Sequence, residues 1–269
     1  MTAIPVLDIP DQPAAVPPAM VPVKTIAVAS GKGGVGKTWL AITLAHALAR
    51  AGRRVLLFDG DLGLANVDIQ LGLVPAHDLG AVLAGRRSLR DCVVQHPCGF
   101  DILAGRSGSG ALAGLDDAAM QALLDVLRAA AAGYDHVVLD LGAGIDRPTR
   151  RLARFADLLL VIATEEPTSL TDAYAVLKLH HADRAGATGP SEARIVINQA
   201  STPTAGERTY ATLARACAAF LGHTPKLAGI VRRDDRVRDA IRRQTPSLQR
   251  HPTAPASADI ERLAAGMTR

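Results

Sequence analysis

The sequence predicts an α/β fold in which a mostly parallel sheet is covered by helices on both faces. Three observations predict it. Strand-like apolar runs alternate with helical patterns along most of the chain. The apolar runs are almost unbroken, as expected of parallel strands that are buried on both faces. Hydrophobic residues make up 48% of the chain but aromatic residues only 3%, which indicates an aliphatic, alanine-rich core.

Length and composition indicate one domain after a short tail. The 269 residues fit a single α/β domain, which we place at 24–269. Residues 1–23 carry six prolines, so we expect a disordered tail there. A net charge of +4 does not by itself indicate nucleic acid binding. The three cysteines have no ligand spacing, and no apolar run approaches the roughly 18 residues of a membrane span. We therefore expect a cytoplasmic protein.

A glycine-rich turn carries the clearest chemical signal. Residues 31–38 read Gly-Lys-Gly-Gly-Val-Gly-Lys-Thr and fit the phosphate-binding pattern G-x-x-x-x-G-K-[ST]. The turn lies between a predicted strand at 25–29 and a predicted helix at 37–51. Glycines let several backbone N–H groups face one anion, and the helix N-terminus favours negative charge. Lys37 is expected to reach the β- and γ-phosphates, and Thr38 to offer its hydroxyl to Mg²⁺.

Aspartates follow two further predicted strands. Asp59 and Asp61 follow the apolar run at 54–58, and Asp140 ends the predicted strand at 134–140. Ligands of open α/β sheets bind at the carboxyl ends of strands. The first pair could hold Mg²⁺ waters, orient an attacking water or form a polar turn. Asp140 fits a Walker B element that holds a metal-bound water near Thr38.

The remaining elements follow the same alternation. Leu40, Leu44 and Leu48 predict a core-facing stripe on the first helix, and Thr168 or Ser169 is expected to cap a later one. In chain order we predict short helical pieces at 71–94, a strand at 100–103, a loop at 105–114 that could move, a helix at 116–131, strands at 157–163 and 193–198, a helix at 207–220 and a strand at 226–231.

Lys32 is a second lysine that an ordinary phosphate loop does not need. The octet at 31–38 resembles the deviant Walker A motif of the MinD/ParA family of P-loop ATPases, which belong to the SIMIBI class. In that family the first lysine reaches across a dimer to the partner's nucleotide, so the resemblance implies a catalytic role for Lys32 beside Lys37. A solvated side chain is the plain alternative for Lys32.

The resemblance also assigns further site residues. It implies that Asp61 contacts the lytic water, that Asp59 lies in the outer shell of the metal, and that Asn198 reads adenine; an Asn-initiated turn is the alternative for Asn198. Thr38, Asp59 and Asp140 are thus the predicted Mg²⁺ residues. The residues expected to bind ATP are Gly31, Lys32, Gly33, Gly34, Val35, Gly36, Lys37, Thr38, Trp39 and Asn198.

Two segments resemble the flagellar FlhG (FleN) branch of this family. They are the Gly-Ala-Gly-Ile turn at 142–145 and Glu-Pro-Thr-Ser-Leu-Thr-Asp-Ala-Tyr-Ala at 166–175. The resemblance implies control of flagellar number or placement through an ATP-dependent homodimer. It implies an FlhF-type SRP GTPase or a flagellar transcription activator as partner. Pro13 stands where the branch often has the alanine of an Asp-Gln-Ala start. Val-Arg-Arg at 231–233 stands where the family usually has a proline-containing loop near the base.

Two charged or amphipathic segments have open interpretations. At 231–243 the charges could pair, Asp235 with Arg238 and Asp239 with Arg243, which indicates a solvated helix; a patch for DNA or an acidic partner is the alternative. A helix at 257–269 would place one apolar face, formed by Ile260, Leu263, Ala264 and Met267, on the core or on a membrane. We expect docking on the core, with weak or no membrane contact.

Rival functions make different demands. A ParA-type partitioning ATPase would bind DNA, which we do not expect, and a MinD-type regulator would bind lipid. For this protein the resemblance leaves open a peripheral location at the cell pole or the inner membrane face. An iron–sulfur carrier of this superfamily needs paired cysteines, which the sequence lacks. A small-molecule kinase would have no use for Lys32.

Overall fold

The computed structural model describes residues 24–105, 115–184 and 192–267. The expected tail at 1–23 and almost all of the expected mobile loop at 105–114 lie outside these residues. The first described residue, Lys24, begins a strand.

The described strands form one sheet in the order β3-β4-β2-β5-β1-β6-β7-β8. The strands are β1 (Lys24–Ser30), β2 (Val55–Gly60), β3 (Val93–Gln95), β4 (Asp101–Leu103), β5 (His136–Ala143), β6 (Leu158–Ala163), β7 (Glu192–Ala200) and β8 (Lys226–Arg232). All neighbouring pairs are parallel except β3 and β4, which are antiparallel. The predicted, mostly parallel sheet is therefore confirmed, with an antiparallel edge that the sequence did not indicate.

Helices cover both faces of the sheet, and each face has its own apolar cluster. The helices are α1 (Lys37–Arg50), α2 (Val67–Leu71), α3 (Leu79–Leu83), α4 (Leu89–Cys92), α5 (Asp117–Ala131), α6 (Arg147–Phe155), α7 (Pro167–Asp183), α8 (Pro203–Leu221), α9 (Asp235–Arg242), α10 (Ser247–Arg250) and α11 (Pro255–Ala265). One cluster contains buried residues of α1, α10 and α11, and the other contains those of α5, α6, α7 and α8.

Helix α1 is buried on almost every side. The predicted stripe of Leu40, Leu44 and Leu48 is fully buried, but so are most of the other residues, because 12 of the 14 residues are buried. The sheet lies on one side of the helix, and α10 and α11 pack on the other. The phosphate-binding turn is therefore attached to a helix in the centre of the molecule.

Helix α11 docks on the core, as the sequence predicts. Ile260, Leu263, Ala264 and Met267 are all buried in the same cluster as α1. The apolar face that a membrane would need is thus already covered by protein. Among the described helices, none is both long and apolar enough to cross a bilayer.

Several local predictions are wrong. Neither Thr168 nor Ser169 caps α7, because that helix begins at Pro167 with Glu166 as its N-cap residue, and the Ser169 hydroxyl accepts a bond from the Thr164 amide instead. Helix α6 was not predicted. Its four arginines mask the helical pattern in the sequence.

The charged stretch at 231–243 is helical over α9, in agreement with the solvated-helix interpretation of the sequence. Asp239 is 3.9 Å from Arg243, but it lies closer to Arg250 and His251, which join α9 to α10. The expected pair of Asp235 with Arg238 does not form within the described contacts. All three cysteines are free.

Candidate functional site

The turn between β1 and α1 has the close approaches that only glycine permits. Gly36 has a φ of 90°, and a Cβ on it would lie 2.5 Å from Nδ2 of Asn198. A Cβ on Gly31 would lie 2.4 Å from the carbonyl oxygen of Asp172 in α7. The two glycines therefore let the turn pack against β7 and α7.

The middle of the same turn is open. A Cβ at Gly33 or Gly34 would meet no protein atom within 4 Å, so this side of the loop is open. Lys37 and Thr38 begin α1 and are both buried. The backbone N–H groups of this first turn have no partners within the helix, which makes the site suited to an anion.

Asp59 and Asp140 are direct neighbours in the sheet. They are paired between β2 and β5 and are both almost fully buried. Asp59 was predicted to follow its strand and Asp140 to end its strand, but β2 continues to Gly60 and β5 to Ala143. Burial and the neighbouring Asp59 carboxylate raise the pKa of Asp140 from 3.8 to about 8, although Thr38 and Lys37 lower it. Two adjacent buried carboxylates repel each other when both are ionised, so this position favours a bound cation.

Asp59 holds the loop that follows β2. Its Oδ1 accepts a bond from the amide of Asp61, and its Oδ2 accepts bonds from the amides of Asn66 and Val67. Burial raises the pKa of Asp59 to about 6, and these three amides limit the rise. Asp59 thus fixes the path of the loop on which Asp61 lies.

Asp61 lies where the loop leaves the sheet. Its Oδ1 accepts a bond from the Leu64 amide, and a Cβ on Gly142 of β5 would be 3.4 Å from the same oxygen. The carboxylate therefore lies beside the end of β5, two residues beyond Asp140. This brings Asp59, Asp61 and Asp140 together, as the sequence predicts.

The residues around Asp140 fit a magnesium ion. Both oxygens of its carboxylate are buried and have no hydrogen-bond partner, and the neighbouring Thr38 hydroxyl lowers the pKa of the group. Mg²⁺ is typically held by one or two carboxylates, water and substrate phosphates rather than by a complete protein cage. Among the described residues, no group of three or more His, Cys, Asp or Glu side chains is arranged to hold a metal.

A cleft of about 260 Å³ adjoins the phosphate-binding turn. Gly34, Gly36 and Trp39 line one side, and Asn198 and Gln199 at the end of β7 line another. The wall opposite is formed by 232–235 and α9. The indole of Trp39 is buried and donates to the Ser247 hydroxyl over 2.7 Å. The cleft thus continues from the phosphate loop, which is where a base would be placed.

Asn198 is held against the phosphate loop. Its Nδ2 donates to the carbonyl of Val35 over 2.7 Å, and the residue is buried. One N–H and the amide oxygen remain for a ligand. Arg232 lines the far wall and forms a two-pronged ion pair with the buried carboxylate of Asp259 on α11.

Lys32 lies against α7. Its Nζ donates to Oε2 of Glu166 over 2.5 Å and to Oγ1 of Thr168 over 3.2 Å. The Lys32 ammonium lowers the pKa of Glu166. Both side chains are exposed, so the contact is accessible from outside the molecule. Lys32 is thus partnered within its own chain, which differs from the freely solvated side chain of the plain alternative.

The described structure brings most of the predicted residues into one region. The phosphate loop, the three aspartates and Asn198 all lie at the carboxyl edge of the sheet. Sequence reasoning missed the roles of Glu166, Gln199 and Gln244. Glu166 is separated from Lys32 by 134 positions, and Gln244 is separated from Ile69 by 175 positions. No local sequence pattern predicts contacts over such separations.

A phosphate loop, paired strand carboxylates and an adjoining cleft define a nucleotide-binding P-loop protein. The model of the CobQ/CobB/MinD/ParA nucleotide binding domain matches residues 26–247. The chain belongs to this MinD/ParA family.

It is 37% identical to the antiactivator FleN of Pseudomonas aeruginosa over 91% of this chain and 86% of that protein. It is also 31% identical to the flagellum site-determining protein YlxH of Helicobacter pylori, over 71% of this chain and 63% of that one. These likenesses confirm the FleN (FlhG) branch.

Solved structures agree on the fold. The septum site-determining protein MinD of Pyrococcus horikoshii, complexed with Mg-ADP, has a TM-score of 0.76 at 23% identity, over 92% of this chain and 96% of that one. In the MinC:MinD complex of Aquifex aeolicus the matched chain has a TM-score of 0.74 at 25% identity, over 91% and 96%. The matching family model describes a nucleotide binding domain, and the Pyrococcus horikoshii relative holds Mg-ADP.

Proposed function

We propose that this chain is an ATPase that regulates the number or placement of flagella, and that ATP-dependent dimerisation is its switch. The observation that carries the proposal is the likeness to FleN along 91% of the chain, which includes a complete phosphate loop and its aspartates. The antiactivator FleN and a protein named for determining the flagellum site both match the chain. This supports a flagellar function over the division-site function of MinD.

Different residues of the chain bind the triphosphate, hold the metal and orient the attacking water. The backbone of 31–37 and the Lys37 ammonium bind the triphosphate, and the Thr38 hydroxyl and Asp140 hold the metal. Mg²⁺, when bound, neutralises phosphate charge. Asp59 supports the outer shell of the metal while it fixes the loop of Asp61. Asp61 orients the attacking water.

The remaining charge comes from a second subunit. Lys32 leaves Glu166 and reaches the nucleotide of the partner, where its ammonium stabilises charge on the transferred phosphoryl group. Turnover is slow in a monomer because one catalytic charge is missing. The dimer is therefore the ATP state, and hydrolysis dissolves it.

The cleft that adjoins the phosphate-binding turn, called the base cleft from here on, recognises adenine. Asn198 offers one N–H and an amide oxygen beside Trp39, which suits the edge of adenine, because adenine presents a donor and an acceptor side by side. The aliphatic side chains of Val237 and Ile241 give the cleft an apolar wall. Arg232 is committed to Asp259 and supports this wall.

The ATP dimer then acts on a flagellar regulator. An FlhF-type SRP GTPase and a flagellar transcription activator are the two partner classes. Action takes place in the cytoplasm or beside the inner membrane at the pole. The apolar face of α11 is buried and does not serve as a membrane anchor. DNA binding is not part of the function.

A genetic experiment tests the proposal. Flagella per cell are counted by electron microscopy in the source organism after deletion of the gene and after complementation. We expect altered number or position in the deletion strain, restoration by the wild type and failure by Lys37→Ala. Glu207→Ala, an exposed change on α8, is the control. Unchanged flagella in the deletion strain, together with a division or plasmid-partitioning defect, would favour the MinD-type or ParA-type function.

A further inference from the structure

Two glutamines have an unusual backbone conformation: Gln199, which lines the base cleft, and Gln244, which follows the helix α9 that lines it. Gln199 has a φ of 57° and Gln244 a φ of 51°, and within the described ranges they are the only residues other than glycine with positive φ. This left-handed conformation is normally occupied by glycine or asparagine. A strained residue beside a site indicates a role for its side chain.

Gln244 occupies the position after α9 where helices commonly end in glycine. Its amide donates to the Ile241 carbonyl over 3.0 Å, and the Thr245 amide donates to the Ala240 carbonyl over 3.1 Å. This is the Schellman arrangement, for which glycine would be sufficient. The termination of α9 therefore does not explain why the residue is glutamine.

The side chain of Gln244 spans to a different element. Its Nε2 donates to the carbonyl of Ile69 in α2 over 2.8 Å. The side chain also packs closely on Gly72, where a Cβ would lie 3.1 Å from Oε1 of Gln244. Gln244 thus joins the C-terminal end of α9 to both the body and the end of α2.

The two joined helices belong to different parts of the site. Helix α9 lines the base cleft with Val237, Arg238 and Ile241. Helix α2 directly follows the loop that carries Asp61, and the start of α2 is held by Asp59. The bond from Gln244 to α2 therefore connects the wall of the base cleft with the acidic loop.

We infer that Gln244 is a positioning residue that transmits occupancy of the base cleft to the loop of Asp61. A base against α9 steadies that helix, and the bond to Ile69 steadies α2 and, with it, the loop at 61–66. The inference rests on the proposed nucleotide site. Gln199 makes a similar but longer hydrogen bond, in which its Nε2 lies 3.4 Å from the carbonyl of Gly34 in the phosphate loop.

Hydrogen exchange tests this coupling with two probes. Mg-ADP fills both the phosphate loop and the base cleft, whereas Mg-pyrophosphate fills only the phosphate loop. The peptides compared cover 31–38 and 61–73. The variants are Gln244→Met, which keeps the length of the side chain but removes the donor, and Gln244→Gly, which also relieves the left-handed strain. Gln121→Met on the exposed face of α5 is the matched control.

In the wild type and in the control, we expect ADP to protect 61–73 more than pyrophosphate does. In both Gln244 variants this difference disappears, while both probes still protect 31–38. ATP turnover number falls about fivefold in the Gln244 variants with a Michaelis constant within about twofold, as expected when one hydrogen bond that places a catalytic loop is lost. The melting temperature of Gln244→Gly does not fall, which separates positioning from stability.

Two results would overturn the inference. One is base-dependent protection of 61–73 that persists in Gln244→Met and Gln244→Gly with wild-type turnover. The other is equal protection by ADP and pyrophosphate in the wild type. If ADP protects neither peptide in the wild type, the nucleotide site itself fails, and the inference loses its premise.

Discussion

The ammonium of Lys32 lies 2.5 Å from the carboxylate of Glu166, the N-cap residue of α7. In the proposed mechanism the same ammonium serves the nucleotide of a second subunit. The proposed mechanism has Lys32 leave Glu166 in order to reach that nucleotide. In this mechanism Glu166 competes with the phosphates for the Lys32 ammonium.

Releasing Lys32 is expected to raise ATP turnover. Glu166→Gln removes the carboxylate charge and leaves the shape of the side chain. Because exposed ion pairs contribute at most about 1 kcal/mol, we expect turnover at limiting protein concentration to rise by about two- to fivefold. Phosphate release, measured against Glu207→Gln as control, checks this. Turnover at or below the wild-type rate would show that Glu166 does not compete for Lys32.

Gly36 is expected to be intolerant of any side chain. Gly36→Ala would place a Cβ against Nδ2 of Asn198 at a φ of 90°. We expect ADP affinity to fall by at least about tenfold, because the phosphate loop must shift. Gly52→Ala is the control, since Gly52 has a φ of 78° but open space around it. Calorimetric titration of both variants distinguishes loss of the site from backbone strain alone.

The C-terminal helix is expected to stabilise the fold. Leu263→Ala would leave a cavity between α11 and the sheet, where Leu263 is buried. We expect the free energy of unfolding to fall by about 3 kcal/mol. Glu261→Ala removes only the exposed pair with Arg50 and should cost about 0.5 kcal/mol. Equal urea midpoints for Leu263→Ala and the wild type would mean that α11 does not pack as described.

His46 is expected to make the protein sensitive to acid. Burial lowers the pKa of His46 from 6.5 to about 4, and Arg50 and His96 lower it too. The stability that the neutral ring contributes is present above pH 6.5 and is lost as the pH falls toward 4. His46→Leu removes this loss. The free energy of unfolding of the variant, relative to that of the wild type, should therefore rise by roughly 2 kcal/mol between pH 7 and pH 4.5. Parallel pH curves in urea denaturation would contradict the assignment.

The part of the fold that sequence could predict is the part with local causes. Apolar runs predicted the central strands, and the glycine pattern predicted the turn before α1. The docking face of α11 was likewise visible at helical spacing. The antiparallel strand β3 was not predictable, because three residues at a sheet edge leave no pattern.

The candidate site divides in the same way. Lys37 and Thr38 follow the turn after β1, and Asp59 and Asp140 lie near the carboxyl ends of their strands, so their grouping could be inferred from topology alone. The N-cap of α7 was predicted wrongly, because Ser169 bonds the Thr164 amide in the preceding turn instead. Gln244 was not identified at all, since its importance depends on a left-handed backbone and a contact with Ile69 that only the folded chain creates.

The size of the protein with and without nucleotide tests the central claim most directly. Light scattering after gel filtration compares the wild type, Lys32→Ala and Asp61→Ala, each without nucleotide and with Mg-ATP. We predict that Asp61→Ala becomes a stable dimer with ATP because it does not hydrolyse it, that the wild type dimerises transiently, and that Lys32→Ala stays a monomer. One mass for all three proteins, unchanged by ATP, would contradict the dimerisation switch.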